Sequence, residues 1–270
     1  MSLILYTWAT PNGRKISIML EELGLPYEVR TIDIGRDQQF APAFLEISPN
    51  NKIPALVDEQ ADGGPLAVFE SGAILTYLAE RTGRFLAPSG AARYAAIEWL
   101  HWSIGGLGPM VGQLNFFSLR SQDVAPLATD RFIREADRLL DVMEQRLSAS
   151  AYLGGSDYSI ADMAAYTWAF FVSTHLDHVM AESLASKPAI YRWLKTVGDR
   201  PAVRRGMRVP PDGDAAPPEA IASLKQRIGV AEEERDALRA AGQEESYMEA
   251  CSMVEALELQ LEARLRQAVT

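Results

Sequence analysis

Residues 3–24 read LILYTWATPNGRKISIMLEELG and contain the first two elements of the fold. Leu3–Thr7 is a short apolar run typical of a β-strand, whereas Pro11–Leu23 carries its apolar residues at mostly helical spacing. Pro11 suits the first turn of a helix, because proline lacks an amide hydrogen. Gly24 suits the end of the helix, where the last residue often has a left-handed backbone conformation. The sequence therefore predicts a strand, a turn and a helix in this order.

The residues that follow continue the alternation of strands and helices. We predict strands over 27–34, 53–57 and 65–69, a short helix or turn over 40–47, and a helix over 71–80 with Ser71 as its N-cap. Asp62, Gly63 and Gly64 separate the last two strands, which is typical of a hairpin. The order β-α-β-(α)-β-β-α over residues 1–83 predicts a four-stranded mixed sheet with helices on both faces, the thioredoxin layout.

Residues 90–208 carry a helical pattern throughout and predict a second, all-helical domain. Apolar residues recur every three or four positions over 91–118, 125–148, 159–173 and 187–199. Ser159 followed by Asp162 is typical of a capping box at a helix start. Four glycines and a proline fall within residues 105–112 and disfavour a regular helix, so we expect a kinked helix at a subunit or ligand surface.

Residues 209–270 differ in composition from the rest of the chain. They contain 13 acidic and 6 basic residues, and they begin with a proline-rich linker over 209–218. Two amphipathic stripes, over 219–240 and 243–268, predict an acidic helical hairpin extension. Because such a hairpin has little core of its own, we expect it to pack on the body or on a partner subunit. A disordered acidic tail is the alternative.

Composition excludes several classes of function. The net charge of −10 argues against nucleic acid as a partner. No run of about 18 apolar residues is present, which argues against a membrane helix, and the N-terminal residues lack the pattern of an export signal. The single cysteine, Cys251, excludes an internal disulfide and a CxxC motif, and three scattered histidines form no metal cluster. We therefore expect a cytoplasmic protein without a metal.

Three turns carry residues suited to binding a peptide-like anion. The turn at residues 10–13 opens a helix, whose N-terminus stabilises negative charge. Pro54 leads into a strand, where a cis proline would turn the backbone of Ile53 toward an extended peptide, with Lys52 as a neighbouring cation. Glu70 and Ser71 begin another helix and suit a ligand's ammonium and carboxylate groups. Each turn alone is also compatible with ordinary helix capping or a strand start.

Together these segments resemble those of the cytosolic glutathione transferases, and within them the bacterial nu class with its disulfide-bond oxidoreductases. The similar segments are ATPNGRKISIMLEE (9–22), FLEISPNNKIPALVD (44–58), FESGAILTYLAE (69–80), GGLGPM (105–110) and YSIADM (158–163). The resemblance covers roughly residues 3–205 and implies the glutathione transferase fold, with glutathione as cosubstrate. The extension beyond residue 209 departs from the family pattern.

The resemblance also implies a role for individual residues. It places the γ-glutamyl group of glutathione at Glu70 and Ser71, and the cysteinyl backbone at Ile53 beside a cis Pro54. The glycyl carboxylate is expected near Lys52 and Gln39. Arg131 matches a family position that reaches toward bound glutathione, and the family pairs its subunits as homodimers.

The sulfur of glutathione is expected to point at Thr10 and Asn12, the two candidate catalytic residues. Tyr6 lies inside a predicted strand, Ser17 lies well along a helix, and Cys251 lies in the extension. Without a nearby protein thiol, the thiolate of glutathione must itself be the nucleophile. One good hydrogen-bond donor contributes about 1.5–3 kcal/mol to a charged acceptor, enough to lower the thiol pKa by about one to two.

Three functions follow from this interpretation. The first is a glutathione-dependent disulfide-bond oxidoreductase, which the turn at residues 10–13 favours. The second is a transferase or lyase that acts on electrophilic aromatic, halogenated or ether substrates, for which aromatic-rich helices would be suitable. The third is a non-catalytic glutathione-binding module whose extension binds a partner.

Overall fold

The computed structural model of the protein describes residues 2–120, 125–210, 218–243, 246–247, 250–251 and 254. The chain divides into two compact units. The first unit comprises Met1–Asn115 and Leu127–Pro210, and the second comprises Phe116–Pro126 and Pro211–Thr270.

The first unit begins with a four-stranded mixed sheet, as predicted. The strands are β1 (Leu3–Thr7), β2 (Tyr27–Thr31), β3 (Ala55–Asp58) and β4 (Leu66–Phe69), and their order across the sheet is β2-β1-β3-β4. β1 runs parallel to β2 and antiparallel to β3, and β3 pairs with β4 as the predicted hairpin. The second strand ends three residues earlier than predicted, because the chain turns into 3₁₀ turns at Ile34–Arg36 and Gln38–Phe40.

Three helices accompany the sheet: α1 (Pro11–Leu23), α2 (Pro42–Leu45) and α3 (Ser71–Thr82). Leu5 is fully buried in the main core, which also holds apolar side chains of α1 and α3. The neighbouring Tyr6 points to the opposite face, where its ring lies 6.2 Å from that of Phe44 on α2. The helices therefore cover both faces of the sheet, in the thioredoxin layout.

The ends of α1 agree with the sequence, whereas the start of α3 does not. Thr10 is the N-cap of α1, where its Oγ1 accepts a hydrogen bond from the amide of Gly13 at 3.2 Å, and Gly24 ends the helix at φ 67°. The prediction that Ser71 caps α3 is wrong. Ser71 is the first helical residue, and Glu70 precedes it as N-cap at φ 70° without a side-chain capping bond.

Seven helices complete the first unit or pass from it into the second: α4 (Gly90–Trp102), α5 (Gly108–Arg120), α6 (Pro126–Ala149), α7 (Ile160–His175), α8 (Asp177–Ala185), α9 (Pro188–Gly198) and α10 (Pro201–Gly206). A π-helical segment at Ser103–Leu107 joins α4 to α5, in the glycine-rich run for which a kink was predicted. The short helices α8 and α10 were not predicted, because so few residues carry little periodic signal.

α10 owes its position to a close backbone approach. Gly206 lies so near α1 that a Cβ there would come within 2.6 Å of the backbone nitrogen of Ile18. Ser17 Oγ donates to the carbonyl of Gly206 at 2.7 Å. This serine therefore has a structural role.

The predicted capping box of α7 is present and is tied into the core. The carboxylate of Asp162 accepts from the amide of Ser159 at 3.0 Å, and the Ser159 hydroxyl accepts from the amide of Ala161 at 3.3 Å. Asp162 also accepts from the indole of Trp193 at 2.8 Å and from the amide of Leu153 at 2.9 Å. Although burial raises the pKa of Asp162, these donors act in the opposite direction.

The second unit contains α11 (Pro218–Ala240), which matches the first predicted helix of the extension. Ile228 and Ala231 form a buried apolar cluster with Val254, so residues from both predicted stripes meet. The linker residues 211–217 and most of the second predicted helix, 243–268, lie outside the described residues. No helix in the described parts of the chain is both long and apolar enough to cross a membrane.

Candidate functional site

Two adjoining cavities lie in the first unit beside the turn from β1 to α1. The smaller has a volume of about 150 Å³ and is lined by Asn12, Lys52, Ile53, Pro54, Phe69, Glu70 and Ser71. The larger has a volume of about 510 Å³ and is lined by Ala9, Thr10, Pro11, Asn12, Ile34, Gln39, Asn51, Lys52, Ile53, Gly112, Asn115, Trp168 and Phe171. Asn12, Lys52 and Ile53 line both, so the fold brings seven of the eight candidate residues together.

Arg131 is the eighth candidate, and it lies elsewhere. It is an exposed residue of α6 and is not among the residues that line either cavity. Its interaction with glutathione stays a prediction. The resemblance implies that the subunits pair as homodimers, so that Arg131 of one subunit could reach glutathione bound to the other.

Thr10 and Asn12 lie at the N-terminus of α1, where the first backbone amides have no partner within the helix. Thr10 Oγ1 accepts the capping bond from Gly13, which leaves its hydroxyl hydrogen to donate. Asn12 Oδ1 accepts from the indole Nε1 of Trp168 at 3.0 Å. Because an indole N–H only donates, the oxygen of the Asn12 amide must face it, and the NH₂ group remains to donate within the cavities.

Trp168 also lines the larger cavity, although it was not among the predicted site residues. It lies on α7 and is 9% exposed, and its ring packs closely on two glycines of α5. A Cβ on Gly108 would lie 2.8 Å from Trp168 Nε1, and one on Gly112 would lie 3.5 Å from Cη2. The four-residue spacing of these glycines on one helix face signalled a close approach, although it did not identify the partner.

The loop before β3 and the residue before α3 complete the walls. The Ile53–Pro54 peptide bond is cis, as predicted. Ser48 Oγ donates to the carbonyl of Lys52 at 2.9 Å and anchors this loop, while the Lys52 side chain is exposed. Glu70 has a φ of 70°, which is uncommon for a residue other than glycine and typical of strained positions at ligand sites.

A buried lysine lies behind the smaller cavity. Lys15 on α1 is 1% exposed, and its Nζ lies 3.5 Å from Ser71 Oγ. Burial lowers the pKa of Lys15 to about 7, and the negative charge of Glu70 opposes this only in part. The sequence carried a signal that was missed, because Ile18 and Met19, three and four positions further along the helix, are fully buried on the same face.

Gln39 lines the larger cavity. Its Nε2 donates to Asp37 Oδ1 at 3.4 Å, and its Oε1 is buried without a hydrogen-bond partner. Tyr6 is occupied elsewhere, because its hydroxyl accepts from Arg30 Nη1 at 2.8 Å. Cys251, the only cysteine of the chain, belongs to the second unit and lines neither cavity. Among the described residues, no group of three or more His, Cys, Asp or Glu could hold a metal ion.

Comparison with known families and proteins agrees with this architecture. Residues 9–81 match the family model described as the glutathione S-transferase N-terminal domain, and residues 109–201 match the C-terminal domain. The disulfide-bond oxidoreductase YfcG of Escherichia coli is 46% identical over 206 residues, which cover 75% of this chain and 93% of the relative. The disulfide-bond oxidoreductase YghU of the same organism is 42% identical, over 75% of this chain and 73% of the relative.

Solved structures of similar proteins contain glutathione. A glutathione transferase family member from Pseudomonas fluorescens, solved with two glutathione molecules bound, is 42% identical with a TM-score of 0.74, over 77% of this chain and 93% of that one. A glutathione transferase from Pseudomonas putida, solved with one glutathione disulfide per subunit, is 39% identical with a TM-score of 0.73, over 77% and 92% of the two chains.

Proposed function

Since the chain belongs to the glutathione S-transferase family, we propose that it reduces disulfides with the thiolate of bound glutathione and without a cysteine of its own. The observation that carries this proposal is the composition of the cavity walls. Thr10 and Asn12 supply hydrogen-bond donors at a helix N-terminus, while the only cysteine, Cys251, lies in the extension. The disulfide-bond oxidoreductases among the relatives support the reaction type.

Glutathione binds in this proposal as an extended peptide across the two cavities. Its γ-glutamyl carboxylate accepts from Ser71 at the start of α3, and its ammonium group faces Glu70. The cysteinyl backbone pairs with Ile53, and the glycyl carboxylate lies near Lys52 and Gln39. This arrangement matches each charge of the peptide with an opposite charge or a helix N-terminus.

The sulfur then lies at the start of α1, where a thiolate is stabilised. Unperturbed thiols have a pKa of about 8.5, so little thiolate is present at neutral pH. A hydrogen bond from the Thr10 hydroxyl or the Asn12 amide is worth about 1.5–3 kcal/mol to the anion, and one pKa unit corresponds to about 1.4 kcal/mol. One such bond therefore raises the thiolate fraction about tenfold or more at neutral pH.

The reaction proceeds by two thiol–disulfide exchanges. The bound thiolate attacks one sulfur of the substrate disulfide, the S–S bond breaks, and one thiolate product leaves as a mixed disulfide with glutathione forms. A second glutathione thiolate attacks the glutathione sulfur of that mixed disulfide, which releases the second thiol product and glutathione disulfide. Two glutathione molecules are oxidised for each disulfide reduced, and no protein sulfur enters the sequence.

The larger cavity offers room for the second glutathione or for the substrate. Its volume of about 510 Å³ falls within the range of small-molecule sites. The Pseudomonas fluorescens relative binds two glutathione molecules, and the Pseudomonas putida relative binds glutathione disulfide. We propose that the same region of this chain accommodates both sulfur partners.

A second function is favoured by the apolar part of this cavity. Ile34, Trp168 and Phe171 contribute to its walls and would suit an aromatic electrophile. In that case the same thiolate forms a thioether by displacing a halide or by cleaving an ether. The two functions share the glutathione site and differ only in the second substrate.

Parallel assays with bis(2-hydroxyethyl) disulfide and 1-chloro-2,4-dinitrobenzene, with glutathione as cosubstrate, distinguish these functions. We expect the disulfide to be the better substrate. Asn12→Ala is expected to lower its reduction tenfold or more, and Asn12→Asp still further, because it keeps an acceptor for Trp168 but places a negative charge at the sulfur. Thr10→Ala is expected to act similarly, with Thr10→Ser as the control that keeps both the cap and the donor.

Cys251→Ser tests the claim that glutathione supplies the only sulfur, and we expect its activity to be unchanged. Loss of activity in this variant, or a mixed disulfide on Cys251 detected by mass spectrometry, would contradict the mechanism. Wild-type rates in both Thr10→Ala and Asn12→Ala would place thiolate stabilisation elsewhere.

We further propose that the enzyme acts as a cytoplasmic homodimer. A reducing compartment supplies the glutathione that the reaction consumes, and the chain has no cysteine pair that would need oxidation. Pairing of subunits would offer the exposed Arg131 of one copy a route to the glutathione of another. Light scattering that gives a 29.7 kDa monomer at micromolar concentration would refute the dimer.

A further inference from the structure

The proposed mechanism leaves the buried Lys15 without a function. Lys15 is among the largest fully buried side chains of the protein, although an ammonium group buried without an ion pair is normally destabilising. Its only hydrogen-bonding contact in the described residues is with Ser71 Oγ, at the long distance of 3.5 Å. An ammonium group has three donors, so the site behind Ser71 is incompletely satisfied.

Ser71 separates this lysine from the smaller cavity. Ser71 lines that cavity together with Glu70, whereas Lys15 does not line it. A carboxylate that accepts from Ser71 Oγ at about 2.7 Å would lie within about 6 Å of Lys15 Nζ. At that distance, an anion favours the charged form of a buried lysine.

We propose that Lys15 is the buried countercharge of the γ-glutamyl carboxylate and takes up a proton from solvent when this carboxylate binds at Ser71. The inference rests on the proposed binding of glutathione at Glu70 and Ser71, and it adds a residue and a pH dependence to that site. Lys15 acts here as a positioning residue, since Ser71 lies between it and the ligand.

The charged groups on the α3 side leave Lys15 responsive to a ligand. Glu70 is the one charged residue whose attraction opposes the effect of burial on the pKa of Lys15, and its own side chain is exposed. Further along α3, Arg81 is paired with Asp58 at 3.1 Å. Glu70 is therefore a solvated carboxylate that stabilises the buried ammonium only in part.

The charged residues of the other elements packed on α1 form their hydrogen bonds and ion pairs away from Lys15. β1 contains no charged residue. On α7, Asp162 accepts four hydrogen bonds around the capping box. Arg200 and Arg205, at the two ends of α10, pair with Glu22 and Glu21, which lie six or seven residues along α1, about 9 Å or more from the buried lysine.

The size of the effect follows from proton linkage. Burial lowers the pKa of Lys15 to about 7 in the unliganded protein, and an opposite charge about 6 Å away raises the pKa by about two. At pH 8 the ligand then binds with an uptake of about 0.8 proton, and the affinity falls about tenfold between pH 6 and pH 8. Below pH 6 we expect no further increase in the affinity for the ligand, because Lys15 is already charged before the ligand binds.

Calorimetry with S-methylglutathione tests the proposal, because the methyl group removes titration of the thiol. Binding is measured at pH 6, 7 and 8, and at pH 8 in phosphate and Tris, whose different ionisation heats reveal the number of protons exchanged. Lys15→Met removes the charge and keeps the size of the side chain. Lys52→Met is the matched control, since it removes an exposed cation from the same cavity.

We expect wild type to take up about 0.8 proton at pH 8, and Lys15→Met to take up none and to bind with an affinity that depends little on pH. Lys52→Met is expected to bind more weakly but to retain proton uptake. Binding to wild type without proton uptake, or uptake retained in Lys15→Met, overturns the inference alone. If wild type binds no S-methylglutathione at any pH, the proposed function falls, and the inference with it.

Discussion

The buried lysine predicts an unusual dependence of stability on pH for the unliganded protein. In the unfolded chain a lysine has a pKa of about 10.4, whereas burial lowers the pKa of Lys15 to about 7 in the folded protein. Between these values the unfolded chain binds one proton more than the folded protein. The free energy of unfolding therefore rises with pH in this window, by up to about 1.4 kcal/mol for each pH unit.

Integrated from pH 6 to pH 9, this contribution amounts to about 2 to 3 kcal/mol. Lys15→Met lacks it, so the stability of wild type relative to this variant should improve by that amount over the same range. Other titrating groups act on both proteins and cancel in the difference. The sign is diagnostic, because stability present at high pH is lost as the pH falls toward 7 and the buried amine becomes charged.

Urea unfolding of the two proteins at pH 6, 7.5 and 9, followed by tryptophan fluorescence and circular dichroism, measures this difference. Lys52→Met is the control for the loss of an exposed lysine and should follow wild type. A difference between wild type and Lys15→Met that stays constant from pH 6 to pH 9 would refute the reasoning, since it would show that burial leaves the Lys15 amine charged throughout.

Three further predictions concern the site and its supports. Trp168→Phe should slow disulfide reduction about fivefold, because the Asn12 amide loses a hydrogen bond worth about 1 kcal/mol that orients it; an unchanged kcat/KM would contradict this. Gly206→Ala should destabilise the protein by about 1–3 kcal/mol in urea unfolding, because its Cβ would lie 2.6 Å from a backbone nitrogen of α1. Deleting residues 209–270 should lower Tm by several degrees, since α11 and the second predicted helix have too little core to be stable without packing on the body or on a partner subunit. An unchanged Tm, together with a loss of helicity smaller than the deleted fraction of the chain, would indicate a disordered tail instead.

Much of the fold was predictable because its signals are local. The apolar run of β1, the proline at the start of α1, the glycine at its end and the capping box of Ser159 and Asp162 each act within a few residues. The start of α3 was misjudged by one position, since Ser71 has a helical backbone and Glu70 takes the unusual φ. Helices α8 and α10 escaped prediction because packing rather than periodicity defines such short segments.

The candidate site likewise contains residues that local sequence signals predicted and residues that they did not. Thr10, Ile53 and Glu70 lie at turns whose binding chemistry could be predicted separately for each turn. The resemblance of the chain to the glutathione transferases then predicted that the three turns form one site. Trp168 and Lys15 were not predicted as site residues, because the local signals around them did not identify the residue that each contacts.

The sequence by itself determined the order of the strands and of most helices, the ends of α1, the family and the lack of a cysteine near the turn at residues 10–13, because these depend on composition and on neighbours within a few residues. Only the tertiary structure decided the orientation of the Asn12 amide, which depends on an indole 156 positions away. It also decided the low pKa of Lys15, because the protonation of an amine depends on the solvent and charges that surround it. Those surroundings exist only after α3 and the sheet have packed against α1.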